Sequence, residues 1–133
     1  MVVRVLIVED DQVTAHSLRH RLERIGCKIV GIASDSANAL ALFREHKPDL
    51  VTLDINLDDP DSNDSVRLYE TIRAENPRCE IAIISGTAFP RHREIFRHGI
   101  VGFYSKPINF EEIARALRKY FPQLKPYKPD RAF

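Results

Sequence analysis

Residues 2–11 read Val2-Val3-Arg4-Val5-Leu6-Ile7-Val8-Glu9-Asp10-Asp11, a β-rich apolar run that breaks directly into three acids. The run has no clean apolar/polar alternation, which is the pattern of a strand covered on both faces. Four more runs of this kind follow: Lys28–Ile32, Leu50–Leu53 leading into Asp54, Ile81–Ile84 and Ile100–Tyr104. Longer stretches with helical spacing separate them. Leu18, Leu22 and Ile25 share one face of the first, and Ala37, Leu40 and Ala41 one face of the second. Tyr69 and Ile72, with Val66 or Leu68, mark the third. Ile95 and Phe96 anchor a weak fourth over residues 89–98, and Phe110, Ile113, Ala114, Leu117 and Phe121 give the clearest, the fifth. Gly26 and Gly99 suit helix C-caps, while Asn109 and either Asp35 or Ser34 suit N-caps. Pro48 and Pro77 mark helix exits.

The β-α alternation repeats five times. Parallel neighbours need crossover helices, and the right-handed crossover rule leaves few topologies. Five units are too few for an eightfold barrel. The expectation is an α/β fold: a five-stranded doubly wound parallel sheet, flavodoxin-like (βα)5, with strand order 2-1-3-4-5. The chain has 133 residues, enough for one domain. Residues 1–121 carry the βα pattern. Residues 122–133 hold Pro122, Pro126 and Pro129 with no helical period, and read as a Pro-rich C-terminal tail or the start of a linker.

Composition narrows the function. Hydrophobic residues make up 44% and charged residues 29%, so a packed core is available and disorder is a poor reading. The net charge of +1 gives no general attraction to nucleic acid or anionic membrane, so no membrane contact and no direct nucleic-acid binding are expected. No apolar run approaches the ~20 residues that span a bilayer, and the acidic turn after Val8 does not resemble a signal peptide. Cys27 and Cys79 lack metal-ligand spacing, which suits reduced thiols and a cytoplasmic location.

Open α/β sheets bind ligands outside the carboxyl ends of the strands, where the strand order switches. Here the switch lies between strand one, ending in Glu9-Asp10-Asp11, and strand three, ending in Asp54. Neighbouring strands lie about 4.8 Å apart, so these carboxylates crowd together. A divalent cation relieves that repulsion, and carboxylates with a backbone carbonyl and waters suit Mg²⁺. Strand four ends in Ser85, beside Asp54. Strand five is followed by Lys106, two strands from Asp54, and its long stem can deliver a cation to an anion there.

These residues resemble the receiver domain of bacterial two-component response regulators, the CheY-like fold. The resemblance covers residues 1 to about 121 and is carried by Leu6–Asp11, Pro48–Leu57, Ile83–Gly86 and Lys106-Pro107. It implies that Asp54 is the phosphoacceptor. It implies that Asp10 holds Mg²⁺ directly, Glu9 holds it through water, and Asn56 gives it a backbone carbonyl. Ser85 takes the place of the switch hydroxyl, Phe103 the aromatic switch position and Lys106 that of the lysine pairing with a phosphoryl oxygen. The Lys106-Pro107 bond is expected to be cis. The function implied is a signalling module, not a turnover enzyme. It would take a phosphoryl group from a histidine kinase or histidine phosphotransfer protein. A downstream protein or a second copy would then read the face of the fourth helix, fifth strand and fifth helix (α4-β5-α5).

Two rivals remain. A Mg²⁺-dependent aspartyl-phosphate phosphohydrolase usually wants a second acid two residues after its nucleophile, and position 56 is Asn56. A receiver-like scaffold that binds partners without phosphorylation would not need the acids and Lys106. One departure from the family is visible. The usual pattern places a proline four residues and a glycine eight residues after the phosphoacceptor. Here the segment Leu57–Ser65 runs about three residues longer and adds Asp58, Asp59, Asp61 and Asp64.

Overall fold

The computed structural model describes residues 1–55, 64–86, 96 and 100–129. Five strands, β1 (Val3–Val8), β2 (Cys27–Ala33), β3 (Leu50–Asp54), β4 (Glu80–Ser85) and β5 (Ile100–Ser105), form one parallel sheet. Its order is β2-β1-β3-β4-β5, as the sequence predicts. The described helices are α1 (Gln12–Arg24), α2 (Ser36–His46), α3 (Asp64–Glu75) and α4 (Phe110–Tyr120). This α4 is the fifth helix of the sequence pattern. The fourth, over residues 89–98, lies outside the described residues except for Phe96.

Alternate residues of each inner strand feed two separate cores, which is why the runs are apolar throughout. Val5 and Ile7 point to one side with Ala82 and Ile84, under Leu18 and Leu22 of α1 and Ile113 and Leu117 of α4. Leu6 and Val8 point to the other with Val51, Leu53, Ile81 and Ile83, under Phe43 of α2, Leu68 and Ile72 of α3, and Phe96. Each such side chain, fully buried, contributes about 1.5–3 kcal/mol. The third helix buries both Val66 and Leu68 beside Tyr69 and Ile72.

The second helix differs from its predicted face. It buries Ala39 and Phe43, while Ala37 and Ala41 are exposed and Leu40 is half-buried. Alanine is small enough for either environment, so the large ring of Phe43 sets the rotation of α2.

Local signals explain the boundaries. Asp11, Asp35 and Asn109 cap α1, α2 and α4, each side chain accepting from the backbone N–H three residues on. Gly26 follows α1 at φ +105°, a conformation that glycine adopts without strain. In β5, Gly102 serves a close approach: a Cβ there would lie 2.7 Å from the phenol oxygen of Tyr104.

Residues 122–129 have no helix or strand, yet they lie on the domain. Leu124 is 3% exposed within the α1/α4 core. Lys125 N–H donates to the Ile25 carbonyl at 2.9 Å, and the Arg24 guanidinium donates to the Lys128 carbonyl at 3.0 Å. The Tyr127 ring meets Phe110 edge-on at 4.8 Å. Both cysteines are free and buried.

Candidate functional site

Three strand ends converge at the carboxyl edge of the sheet. The Glu9 N–H donates to the Ala33 carbonyl of β2 at 2.9 Å, which extends the ladder one residue past β1. The Glu9 side chain then turns inward and is buried, its Oε2 accepting the Asp11 N–H at 3.0 Å. Asp54, the last residue of β3, is buried beside it. Asp10 is exposed at the rim. One carboxylate oxygen from each of Glu9, Asp10 and Asp54 lies within 4.8 Å of the others.

Asp11, adjacent in sequence, belongs elsewhere. Its carboxylate accepts from both the N–H and the hydroxyl of Thr14, which lowers its pKa. The acid is committed to the first turn of α1.

Lys106 enters from the end of β5, where its N–H donates to the Ser85 carbonyl at 2.8 Å. Its ammonium lies 2.8 Å from Glu9 Oε1 and 3.2 Å from Asp54 Oδ2. The Lys106-Pro107 peptide is cis. The long stem thus closes the two-strand gap. Burial pulls the ammonium pKa down, but the hydrogen bonds and charges of Glu9 and Asp54 outweigh it and hold the pKa above its usual value. Glu9 is pushed up to about 7, chiefly by burial. Lys106 and the Asp11 N–H pull it back, and Asp54 adds to the rise.

Hard oxygen donors at this spacing fit a small divalent cation. Glu9 Oε1 is fully buried and faces the Lys106 ammonium at 2.8 Å, on the same side as the Asp10 and Asp54 oxygens.

Ser85 ends β4, buried on the strand next to Asp54, whose own ladder partner is Ile84. Phe103 is half-buried on β5 and packs edge-on against Phe96 at 6.0 Å, and Phe96 against Tyr69 of α3 at 5.0 Å. The structure therefore gathers Glu9, Asp10, Asp54 and Lys106 at one point, with Ser85 on the neighbouring strand end. Asn56 lies outside the described residues, as do the acids Asp58, Asp59 and Asp61. One contact has no sequence signal: the Ser65 hydroxyl of α3 donates to the Asp54 backbone carbonyl at 3.3 Å.

The family model described as "Response regulator receiver domain" matches residues 5–118. The chain belongs to this family. Among curated relatives, this receiver domain is 34% identical over 131 residues to the transcriptional regulatory protein MalR of Bacillus subtilis, covering 97% of this chain and 54% of that protein. It is 33% identical over 120 residues to the transcriptional regulatory protein CitT of the same organism, covering 89% of this chain and 52% of the relative. The receiver domain thus spans about half the length of the curated relatives it matches. Its fold is that of a response regulator receiver domain protein (CheY-like) from Methanospirillum hungatei, with TM-score 0.80, 22% identity and coverage of 92% and 96% of the two chains. Response regulators are signalling proteins of two-component systems. Among the described residues no helix is long and apolar enough to cross a membrane.

Proposed function

We propose that this chain is the phosphoacceptor module of a two-component phosphorelay, with Asp54 as the residue that takes the phosphoryl group. The observation that carries the reading is the closed group of Glu9, Asp10, Asp54 and Lys106, three acids and one lysine at the carboxyl edge of the sheet. A carboxylate oxygen of Asp54 forms the new bond to phosphorus, while the bond from phosphorus to the donor's leaving group breaks and its electron pair departs with that group. Such transfer needs in-line positioning and neutralisation of charge more than covalent assistance.

Glu9, Asp10 and Asp54, with the backbone carbonyl of Asn56, are the residues that would hold Mg²⁺. When bound, it neutralises phosphoryl oxygens and screens the acids. Lys106 pairs with a phosphoryl oxygen, and the Ser85 hydroxyl hydrogen-bonds another. Phe103 fills the space that Ser85 vacates. The chain is a signalling receiver that promotes its own transfer and hydrolysis rather than a turnover enzyme. Residues 1–121 form that module, and residues 122–133 are a Pro-rich C-terminal tail or the start of a linker, docked on it through Leu124. Its donor is a histidine kinase or histidine phosphotransfer protein in the cytoplasm. Its readout is a downstream protein or a second copy on the face of the 89–98 segment, β5 and α4.

Intact-mass measurement after incubation with acetyl phosphate tests this. One phosphoryl increment is expected with Mg²⁺, and none in chelator or in Asp54→Asn. A labelled Asp54→Asn, or equal labelling in chelator, rejects it.

A further inference from the structure

We propose that the Ser65 hydroxyl is a positioning group for the phosphoacceptor, an inference that rests on Asp54 having that role. Ser65 sits in the first turn of α3 and is 4% exposed. A buried hydroxyl must find a partner, and at the second residue of α3 the helix itself offers no i−3 or i−4 carbonyl. The hydroxyl reaches back eleven residues to the carbonyl of Asp54, at 3.3 Å. The same peptide unit has a second anchor, because the Ile55 N–H donates to the Ile84 carbonyl of β4 at 3.1 Å. The β1/β3 ladder ends one residue earlier, at Val8 and Leu53. The peptide that leaves Asp54 is therefore held through its N–H by β4 and through its oxygen by Ser65.

Rotation of that peptide changes the backbone at the Asp54 Cα and so redirects the carboxylate. It also sets where residue 56 begins. Phosphoryl transfer is sensitive to misplacement well below an ångström.

The test uses the full chain and four forms: wild type, Ser65→Ala, Ser65→Cys and Ser65→Thr. The first readout needs no phosphorylation. In metal-free protein the Asp54 carbonyl-carbon resonance should move upfield in Ser65→Ala, as expected for a carbonyl that loses a donor, and return in Ser65→Thr. The second is labelling by acetyl phosphate at saturating Mg²⁺. The limiting rate should fall roughly two- to tenfold in Ser65→Ala, the worth of one hydrogen bond. The half-saturating donor concentration should stay unchanged, and Ser65→Thr should restore the rate. Ser65→Cys keeps the shape with a weak donor and should lie between, and it decides the matter if Ala or Thr fails to fold. A Ser65→Ala protein labelled at the wild-type rate overturns the proposal while leaving Asp54 as acceptor. A slow Ser65→Ala that Ser65→Thr does not restore also overturns it, because the loss is then one of packing. If wild type takes no label although the resonance moves, the hydrogen bond stands but both roles fall.

Discussion

The two ends of this sheet are built from the same five strands and solve opposite problems. At the carboxyl end Glu9 and Asp54 are withdrawn from water beside a half-buried Lys106, and for Glu9 the cost in desolvation is only partly offset by the lysine. At the amino end the α1–β2 turn carries Leu124 and the backbone bond from Lys125 to Ile25, contacts that hold without charge. Loss of an apolar group at the amino end should weaken the whole fold and leave the site's chemistry intact. Changes at the carboxyl end should alter chemistry first, and their effect on stability should depend on metal.

The largest expected effect is all or none. Asp54→Asn should abolish phosphoryl labelling while its metal-free melting temperature stays level or rises, because a crowded negative charge has gone. A large fall in stability would blur the contrast between the ends. At the other end, Leu124→Ala should cost about 2–3 kcal/mol in urea unfolding with unchanged labelling, since Leu124 is 3% exposed. Near-zero cost would mean that residues 122–129 do not belong to the folded unit.

A smaller effect is metal-dependent. Lys106→Met leaves Glu9 and Asp54 without their counter-ion and should cost about 2 kcal/mol in chelator. Mg²⁺ should recover most of that, and it should stabilise wild type but not Asp10→Ala. An Asp10→Ala protein that responds to Mg²⁺ like wild type removes Asp10 from the ligand set.

The smallest concerns the thiols. Burial pushes both Cys27 and Cys79 up to about 12 from 9.0. Neither should react with an alkylating reagent at pH 8 in the native state, and both should react in denaturant. Their folded pKa values lie above the unfolded ones. Their contribution to stability is therefore complete below pH 9 and declines as pH rises toward 12. Rapid native labelling of either would show that its side of the core is open.

The sheet was legible because β-branched runs buried on both faces have no other common explanation. Asp54 and Lys106 were legible because strand order brings their strand ends to one edge. The face of α2 was not, because alanines carry little directional information beside Phe43. The role of Asp11 was obscured by its two acidic neighbours, although an aspartate just before a helix is an ordinary cap. Leu124 sits alone among prolines and lysines, and one buried residue makes no period. The reach of Ser65 to Asp54 depends on how α3 closes on β3, which no local spacing encodes.

Gly102 and Tyr104 carry a consequence for how this sequence can vary. The phenol occupies the volume where a side chain at position 102 would stand. Its oxygen lies 2.7 Å and its Cζ 3.0 Å from the point that a Cβ on residue 102 would take. With the hydroxyl removed, the ring carbon would still have to give by a few tenths of an ångström. An alanine at 102 therefore needs the Tyr104 ring to move or a smaller residue at 104. The two substitutions together should be less harmful than Gly102→Ala alone, a coupling that a double-mutant cycle reads directly.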